Sequence, residues 1–382
     1  MHTSSMNQTP KKVLFVATVV KTHIMEFHLP YLKMLQDMGL NTAVAAKNDY
    51  DDPADCVIPH CDTYYPVDFA RNPLKRANLR AYRQLKQIID AGDYAIIHCH
   101  TPVAAILTRL AARKARKKGT QILYTAHGFH FYRGAPLLNW LVYFPAEWIC
   151  SFMTDTLITI NQEDYAFASK HMHPGRVEYV PGVGVPMERF GIYGEQRQTM
   201  RQSLGLKDSD FVLLSVAELT PNKNHAMMLR ALASLPEENI RLICAGRGQE
   251  RQRLLELTRA LKLEDRVQFL GYRSDVGKLY AAADAFLFPS FREGLSLSLM
   301  EAMASGLPSI VGAIRGNTDL ISDGVEGILT ELTPEAIAAS IQRLRRDPAM
   351  GKAMGAAARE KVKQFSLENV EKDMDAIYRS CL

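Results

Sequence analysis

Short apolar runs alternate with amphipathic stretches along this chain, and the whole alternation occurs twice. Val13–Val20, Thr42–Ala46, Tyr94–His98, Gln121–Thr125, Thr156–Ile160 and Val177–Val180 read as strands. Apolar residues at three-and-four spacing, such as Leu79, Tyr82, Leu85, Ile88 and Ile89, mark the helices between them. Strands that alternate with helices form a parallel sheet covered on both faces. The Pro- and Gly-dense segment Pro181–Gln196 interrupts the pattern as a hinge would. It then restarts with Phe211–Ala217, Ile240–Ala245, Val267–Leu270, Ala285–Phe288, Ser309–Val311 and Gly327–Leu329, and Pro334–Leu382 reads as wholly helical. The expectation is an α/β chain of two doubly wound, Rossmann-like domains, 1–188 and 189–365, facing a central cleft. Ligands of open α/β sheets bind outside the carboxyl ends of the strands, so the chemistry belongs in the loops that follow them.

A length of 382 residues suits two domains, and 47% hydrophobic with 23% charged residues describes a soluble globular protein with a sizeable core. Collagen-like, disordered and disulfide-framework chains are excluded. Six irregularly spaced cysteines point to reduced thiols and a cytoplasmic setting. The net charge of +5 is unevenly spread: residues 71–118 carry twelve Lys/Arg against two Asp, which leaves +10 there and −5 elsewhere. Lys11-Lys12 before Val13–Val20 imitates a signal peptide, but eight apolar residues without a cleavage site read better as a buried first strand. Ala135–Met153 is nearly long enough to span a bilayer, yet Asn139, Pro145 and Glu147 interrupt it, so a buried or interfacial helix pair is expected.

The sharpest constellation is FPSFREGLSLSLMEAMASGLP, Phe288–Pro308. A strand ends at Phe288 and a helix starts near Ser296 or Ser298, where serine is a good cap and exposed amides favour a phosphate. Glu293 precedes that helix and Glu301 lies inside it, a span of about 12 Å if fully helical, close to a nucleotide diphosphate joining two sugars. An isolated pair of glutamates would be a cap and an unrelated helix-face residue. Glu293-GLSLSLM-Glu301 followed by AMASGLP, however, resembles the Glu-x7-Glu motif of the retaining GT-B glycosyltransferases of family 4, capsular and exopolysaccharide branch. The flanking Gly271–Ser290 and Arg315–Leu329 are similar to that family too, and the resemblance extends over nearly the whole chain.

The resemblance implies that Glu293 contacts donor-sugar hydroxyls and Glu301 the ribose. Gly294 and the amides of Leu297 and Ser298 would take the phosphates, and Tyr272 and Arg273 would face the nucleobase. Lys223, in AELTPNKNH after a strand, is a point-charge partner for the diphosphate. The family's usual Arg is here Glu218, with Arg273 and Arg292 as candidates for the missing charge. His127 ends a strand in TAHGFHFYRGAP, beside a glycine that permits close backbone approach, and the resemblance places it at the donor sugar. His130 and Arg133, with His100, are candidate acceptor contacts. The fold implied is GT-B, with 366–382 packing back on the first domain. No protein nucleophile is implied: Lys223 and helix amides stabilise the leaving diphosphate, whose oxygen takes the acceptor proton, while His127 and Glu293 hold the sugar.

Other motifs carry less. His98, Cys99 and His100 crowd together, but strand alternation puts Cys99 opposite the two histidines, and no CxxC pairing recruits Cys56 or Cys61. Thr22–Pro30 reads as a loop without the family's glycines, in which Lys21, Thr22 and His23 could face phosphates and His28 packs. Gly246-Arg247-Gly248 lacks a third glycine, Asp208-Ser209-Asp210 precedes a strand, and no Walker or GxSxG motif occurs. The basic stretch 71–118, with Trp140 and Trp148 nearby, is either a solvated helix face or an anionic membrane surface patch; no nucleic-acid module is recognisable.

The combined expectation is a retaining hexosyl- or N-acetylhexosaminyltransferase that moves sugar from a UDP-sugar donor to a lipid-linked or oligosaccharide acceptor in surface polysaccharide assembly. It would be cytoplasmic, peripheral to the inner face of the plasma membrane, and would need no metal or cofactor. A GT-B nucleotide-sugar epimerase and a noncatalytic membrane- or glycan-binding protein are the alternatives.

Overall fold

The described residues of the structure, a computed structural model, are 10–70, 72–73 and 75–382. Contacts divide them into two units, one running to Pro181 and including Glu371–Leu382, the other Gly182–Val370. The first is built on β1 (Lys12–Val19), β2 (Asn41–Lys47), β3 (Thr63–Pro66), β4 (Tyr94–His100), β5 (Gln121–Ala126), β6 (Thr156–Thr159) and β7 (Arg176–Tyr179), ordered β3-β2-β1-β4-β5-β6-β7. The second holds β8 (Phe211–Val216), β9 (Ile240–Ala245), β10 (Val267–Gly271), β11 (Ala285–Phe288), β12 (Ser309–Gly312) and β13 (Gly327–Thr330), ordered β10-β9-β8-β11-β12-β13. Every neighbouring pair is parallel.

Burial on both faces explains the unbroken apolar runs. In the second sheet, Val212, Leu214, Phe286, Phe288 and Val311 pack one way against Leu299 and Met303. The intervening Leu213, Leu242, Leu287 and Ile310 pack the other way against Met228, Leu232 and Ile341. All twelve runs read from the sequence are strands. β3 was not among them: it is a half-exposed edge strand that ends at Pro66, where the missing N–H costs no ladder bond.

Two boundaries differ from the sequence reading. The first falls at Pro181/Gly182 rather than 188/189, because Val185 N–H donates to the Phe365 carbonyl (3.0 Å) and the Val185 carbonyl accepts from Leu367 N–H (2.9 Å). The second falls at Val370/Glu371 rather than 365/366. Beyond it, the end of the helix Leu367–Arg379 joins the first unit: Tyr378 Oη lies 2.8 Å from His98 Nδ1, and Arg176 Nη2 donates to Ser380 Oγ (2.5 Å).

Ala135–Met153 forms one helix, Leu137–Ser151, not a pair. Pro145 is tolerated inside it; the carbonyl it leaves without an N–H belongs to Leu141, whose side chain is 74% exposed. The helix is fixed by Glu147, which is buried. Its Oε2 takes Arg109 Nη2 (2.7 Å), its Oε1 takes the Tyr124 hydroxyl (3.0 Å), and the guanidinium lies 4.1 Å over the Tyr124 ring. Burial opposes the Arg109 charge, but Glu147 outweighs it and holds the guanidinium pKa above its ordinary value. Arg109 therefore drops out of the basic surface inferred for 71–118, and Arg71 lies outside the described residues. Among the described residues no helix is long and apolar enough to cross a membrane.

Removing one member of a buried ion pair strands the other. Arg109→Met is expected to destabilise the first unit by about 3–5 kcal/mol, with partial recovery in Arg109→Met/Glu147→Gln, as read by urea denaturation.

Candidate functional site

In each sheet the order reverses between two central strands, β1 and β4 in the first and β8 and β11 in the second. Such switch points open a crevice at the carboxyl ends of the strands. Both constellations singled out in the sequence lie there.

In the second unit, β8 leads into the turn Pro221–Lys223 and β11 into Pro289–Glu293. Asparagine side chains staple the two loops: Asn222 Nδ2 donates to the Arg292 carbonyl (2.9 Å) and Asn224 Nδ2 to that of Pro289 (3.1 Å). The staples bring Lys223 Nζ to 2.7 Å from Glu293 Oε1, with the ammonium 4.8 Å over the Phe288 ring. The helix Leu297–Ala304 follows, capped by Ser296, whose Oγ accepts from Leu299 N–H (3.3 Å) and lies 3.2 Å from Ser298 Oγ. Glu293 to Ser296 are thus outside the helix, so the full helical span assumed between the two glutamates does not hold. Glu301 is half-buried, its Oε2 2.9 Å from the Tyr280 hydroxyl, which also lies 3.0 Å from the Ser298 carbonyl. Burial and then Glu301 push the Tyr280 phenol far up, which keeps it a donor.

Arg315, which the sequence reading did not assign, is buried with Nε 3.4 Å from the Glu293 carbonyl. Its position just past the end of β12 was the available signal. The next residue must be glycine: Gly316 has φ +79°, and a Cβ there would sit 2.2 Å from the Gly294 carbonyl. Asp275 engages Arg273 through both carboxylate oxygens (2.7 and 2.6 Å), raising the guanidinium pKa. Tyr272 is 64% exposed, with the Arg247 guanidinium 5.7 Å from its ring. Glu218 is exposed. The Gly246-Arg247-Gly248 turn serves packing, since a Cβ at Gly246 would meet the Ala217 carbonyl at 1.9 Å.

In the first unit, the segment after β1 is not a loop but a wide helical turn, Val20–Ile24, closed by Met25 N–H on the Val20 carbonyl. Such one-residue expansions recur at functional sites. Its amides do not face open phosphate space: Lys21 N–H donates to Asp49 Oδ1 (2.6 Å), and the Thr22 hydroxyl to Asp49 Oδ2 (3.0 Å). The turn sets His23 Nε2 3.2 Å from His28 Nε2, and His127 Nε2 lies 3.4 Å from His100 Nδ1. Burial holds His127 down to about 4 and His98 down to about 3, so these rings are neutral at pH 7. Cys99 points away, donating to the Leu123 carbonyl (3.3 Å), as strand alternation required. Thr101, with φ +61°, is strained for a β-branched residue and is held by Thr18 (Oγ1 to Oγ1, 2.7 Å).

His100 is 1% exposed and sits among these histidines, so it cannot serve as the acceptor contact expected of it. His130 stacks on Tyr143 (4.6 Å) and lines a cavity of about 290 Å³ with His23, Thr18, Thr101 and Pro102. Arg133 is exposed, its amide held by Glu163 (3.1 Å). A larger cavity, about 1070 Å³, lies at the opposite, amino ends of β8, β11 and β12, away from both constellations.

Residues 12–161 match the family described as Glycosyl transferase 4-like, and residues 196–361 that described as Glycosyl transferases group 1. EpsD of Bacillus subtilis (strain 168), named as a glycosyltransferase, is 40% identical over 373 residues, 96% of each chain. An Escherichia coli protein named UDP-Gal:alpha-D-GlcNAc-diphosphoundecaprenol alpha-1,3-galactosyltransferase is 29% identical over 276 residues, 70% of each chain. Anabaena HepE, solved with UDP and glucose, superposes with a TM-score of 0.80 at 22% identity, covering 97% of this chain and 100% of that one. WaaG, a glycosyltransferase involved in lipopolysaccharide biosynthesis, gives 0.77 at 21%, covering 96% and 99%. These structural likenesses carry the fold, which is GT-B.

His225, beside Lys223, is 2% exposed; burial and then the Lys223 charge lower it from 6.5 to about 4. The unfolded chain therefore binds more protons between pH 6.5 and 4, and stability falls as pH drops through that window. The expected slope is at most about 1.4 kcal/mol per pH unit for this one group. His225→Gln is expected to flatten the pH dependence of the denaturation midpoint by that share.

Proposed function

Because the chain belongs to the glycosyltransferases, 4-like in its first half and group 1 in its second, we propose that it transfers a sugar from a UDP-sugar to a lipid-linked glycan acceptor with retention of configuration. The observation that carries this reading is the Lys223–Glu293 pair, 2.7 Å apart at the switch point and next to the start of the helix Leu297–Ala304. That arrangement offers a cation and helix amides to a diphosphate and two carboxylates, Glu293 and Glu301, to sugar hydroxyls. The UDP bound to HepE and the diphosphoundecaprenol acceptor in the name of the Escherichia coli relative support UDP and a lipid carrier.

The chemistry assigned to the second unit is electrostatic. As the sugar leaves, charge accumulates on the diphosphate, where Lys223 and the amides of Leu297 and Ser298 stabilise it. No side chain attacks the sugar: the departing oxygen takes the proton of the acceptor hydroxyl on the face it vacates, which preserves the anomeric configuration. Glu293 orients the sugar through its hydroxyls.

The lipid-linked acceptor would be met at a membrane surface. Leu137, Leu138, Leu141 and Ile149 on the helix Leu137–Ser151 are each more than half exposed. Arg116 Nη1 donates to the Phe152 carbonyl (3.0 Å), which sets the end of that apolar face beside exposed Arg113, Lys114 and Lys117. An apolar face flanked by cations fits an anionic bilayer, each cation contributing about 1 kcal/mol.

Purified protein supplied with a panel of UDP-sugars and a short-chain prenyl-diphosphate sugar should release UDP and add one sugar to the acceptor, read by mass. Lys223→Met should weaken donor binding roughly 10–100-fold, the range expected for a charged hydrogen bond, and Glu293→Ala should abolish the mass gain. Donor turnover without acceptor gain would favour an epimerase; no donor binding would overturn the reading. Leu138→Asp/Leu141→Asp should lose co-sedimentation with phosphatidylglycerol vesicles while retaining UDP binding.

A further inference from the structure

Four histidines from three separate segments converge in the first unit: His23 in the turn after β1, His28 at the start of the next helix, His100 at the end of β4 and His127 just past β5. One ring nitrogen from each lies within 4.8 Å of all the others. We propose that these four imidazoles form a binding site for a single divalent transition-metal ion of the zinc, cobalt or nickel class.

The distances favour this. In a tetrahedral zinc site with Zn–N of about 2.0–2.1 Å, neighbouring nitrogens stand about 3.4 Å apart; two pairs here stand at 3.2 Å (His28–His23) and 3.4 Å (His100–His127). The remaining separations are at most 4.8 Å and would shorten as the rings turn onto an ion. The donor set is equally specific: neutral imidazoles suit zinc, cobalt, nickel or copper, whereas magnesium and calcium require oxygen.

His28 and His100 are 0% and 1% exposed, and the nitrogens they bring to those close contacts, His28 Nε2 and His100 Nδ1, each face another imidazole nitrogen. His98, 4.1 Å from His100 between ring centroids, is not a ligand: Thr125 Oγ1 and Tyr378 Oη, each at 2.8 Å, occupy its nitrogens. Phe15 packs against His28 and His100 (6.0 and 5.7 Å), an apolar wall that excludes water from one side. On the other side His23 lines the cavity shared with Thr18, Thr101 and His130, an entry route for the ion.

The ion would tie the turn after β1 to the ends of β4 and β5. This inference is independent of the transferase reading, since a chain that bound no nucleotide sugar could still hold it.

The test is metal binding by the full chain after EDTA treatment and desalting. Zinc titrated against a chromophoric chelator should bind at one equivalent per chain. Cobalt(II) should develop the intense visible absorption of a four-coordinate nitrogen site. His28→Gln and His100→Gln should each weaken zinc binding at least tenfold, while His98→Gln, which keeps all four ligands, should bind at one equivalent; circular dichroism checks that the variants fold. Should the variants not fold, the wild-type cobalt spectrum decides. Failure of the wild type to take up zinc at micromolar concentration, a weak six-coordinate cobalt spectrum, or folded His28→Gln and His100→Gln proteins with unchanged affinity would overturn the proposal.

Discussion

Parallel pairing imposes the constraint on which the rest of this molecule depends. Parallel strands need crossovers, so every strand in a sheet delivers its following loop to the same edge. β1 and β8, each bonded to neighbours on both sides, are the pivots. Phe15 is paired with Val44 on one side and His98 on the other, and that register carries His100, two residues further along β4, to the same edge as His23 and His127. In the second sheet the same rule brings the turn after β8 beside the loop after β11, where two asparagine staples complete what the strands began.

Charge inside this fold is handled in two ways. Where it serves packing it is fully committed: Arg109, Glu147 and Tyr124 satisfy one another and leave nothing over for a ligand. At the proposed donor site it is paired but accessible: Lys223 and Glu293 retain 22% and 10% side-chain exposure, and Glu301 is half-buried. A paired but accessible charge avoids the desolvation cost of a bare one and stays available for exchange.

Much of this was legible in the sequence. Both sheets could be read because doubly buried strands declare themselves as apolar runs, and β3, exposed and ending at Pro66, could not. The strand end, cap and helix around Glu293 and Glu301 were legible because one segment carries all three, and the resemblance supplied the roles expected of the two glutamates. The pairing of Glu293 with Lys223, seventy residues away, was not, nor was that of Arg273 with Asp275, since local charge balance says nothing of which partner a side chain meets. The gathering of the histidines was not legible for a related reason. Alternation along β4 correctly set Cys99 apart from His98 and His100, but the partners come from a wide turn after β1, a backbone expansion that no periodicity announces.

The Lys223–Glu293 pair has a consequence for discrimination. A ligand that brings only phosphate must draw the ammonium away and leave a carboxylate facing empty space. One whose hydroxyls arrive with the phosphate gives that carboxylate a donor at the moment its cation departs. On the proposed reading, free phosphate and spent nucleotide would meet a threshold at this pair that a sugar-bearing molecule would cross, and the same threshold would speed the departure of the nucleotide once its sugar was gone.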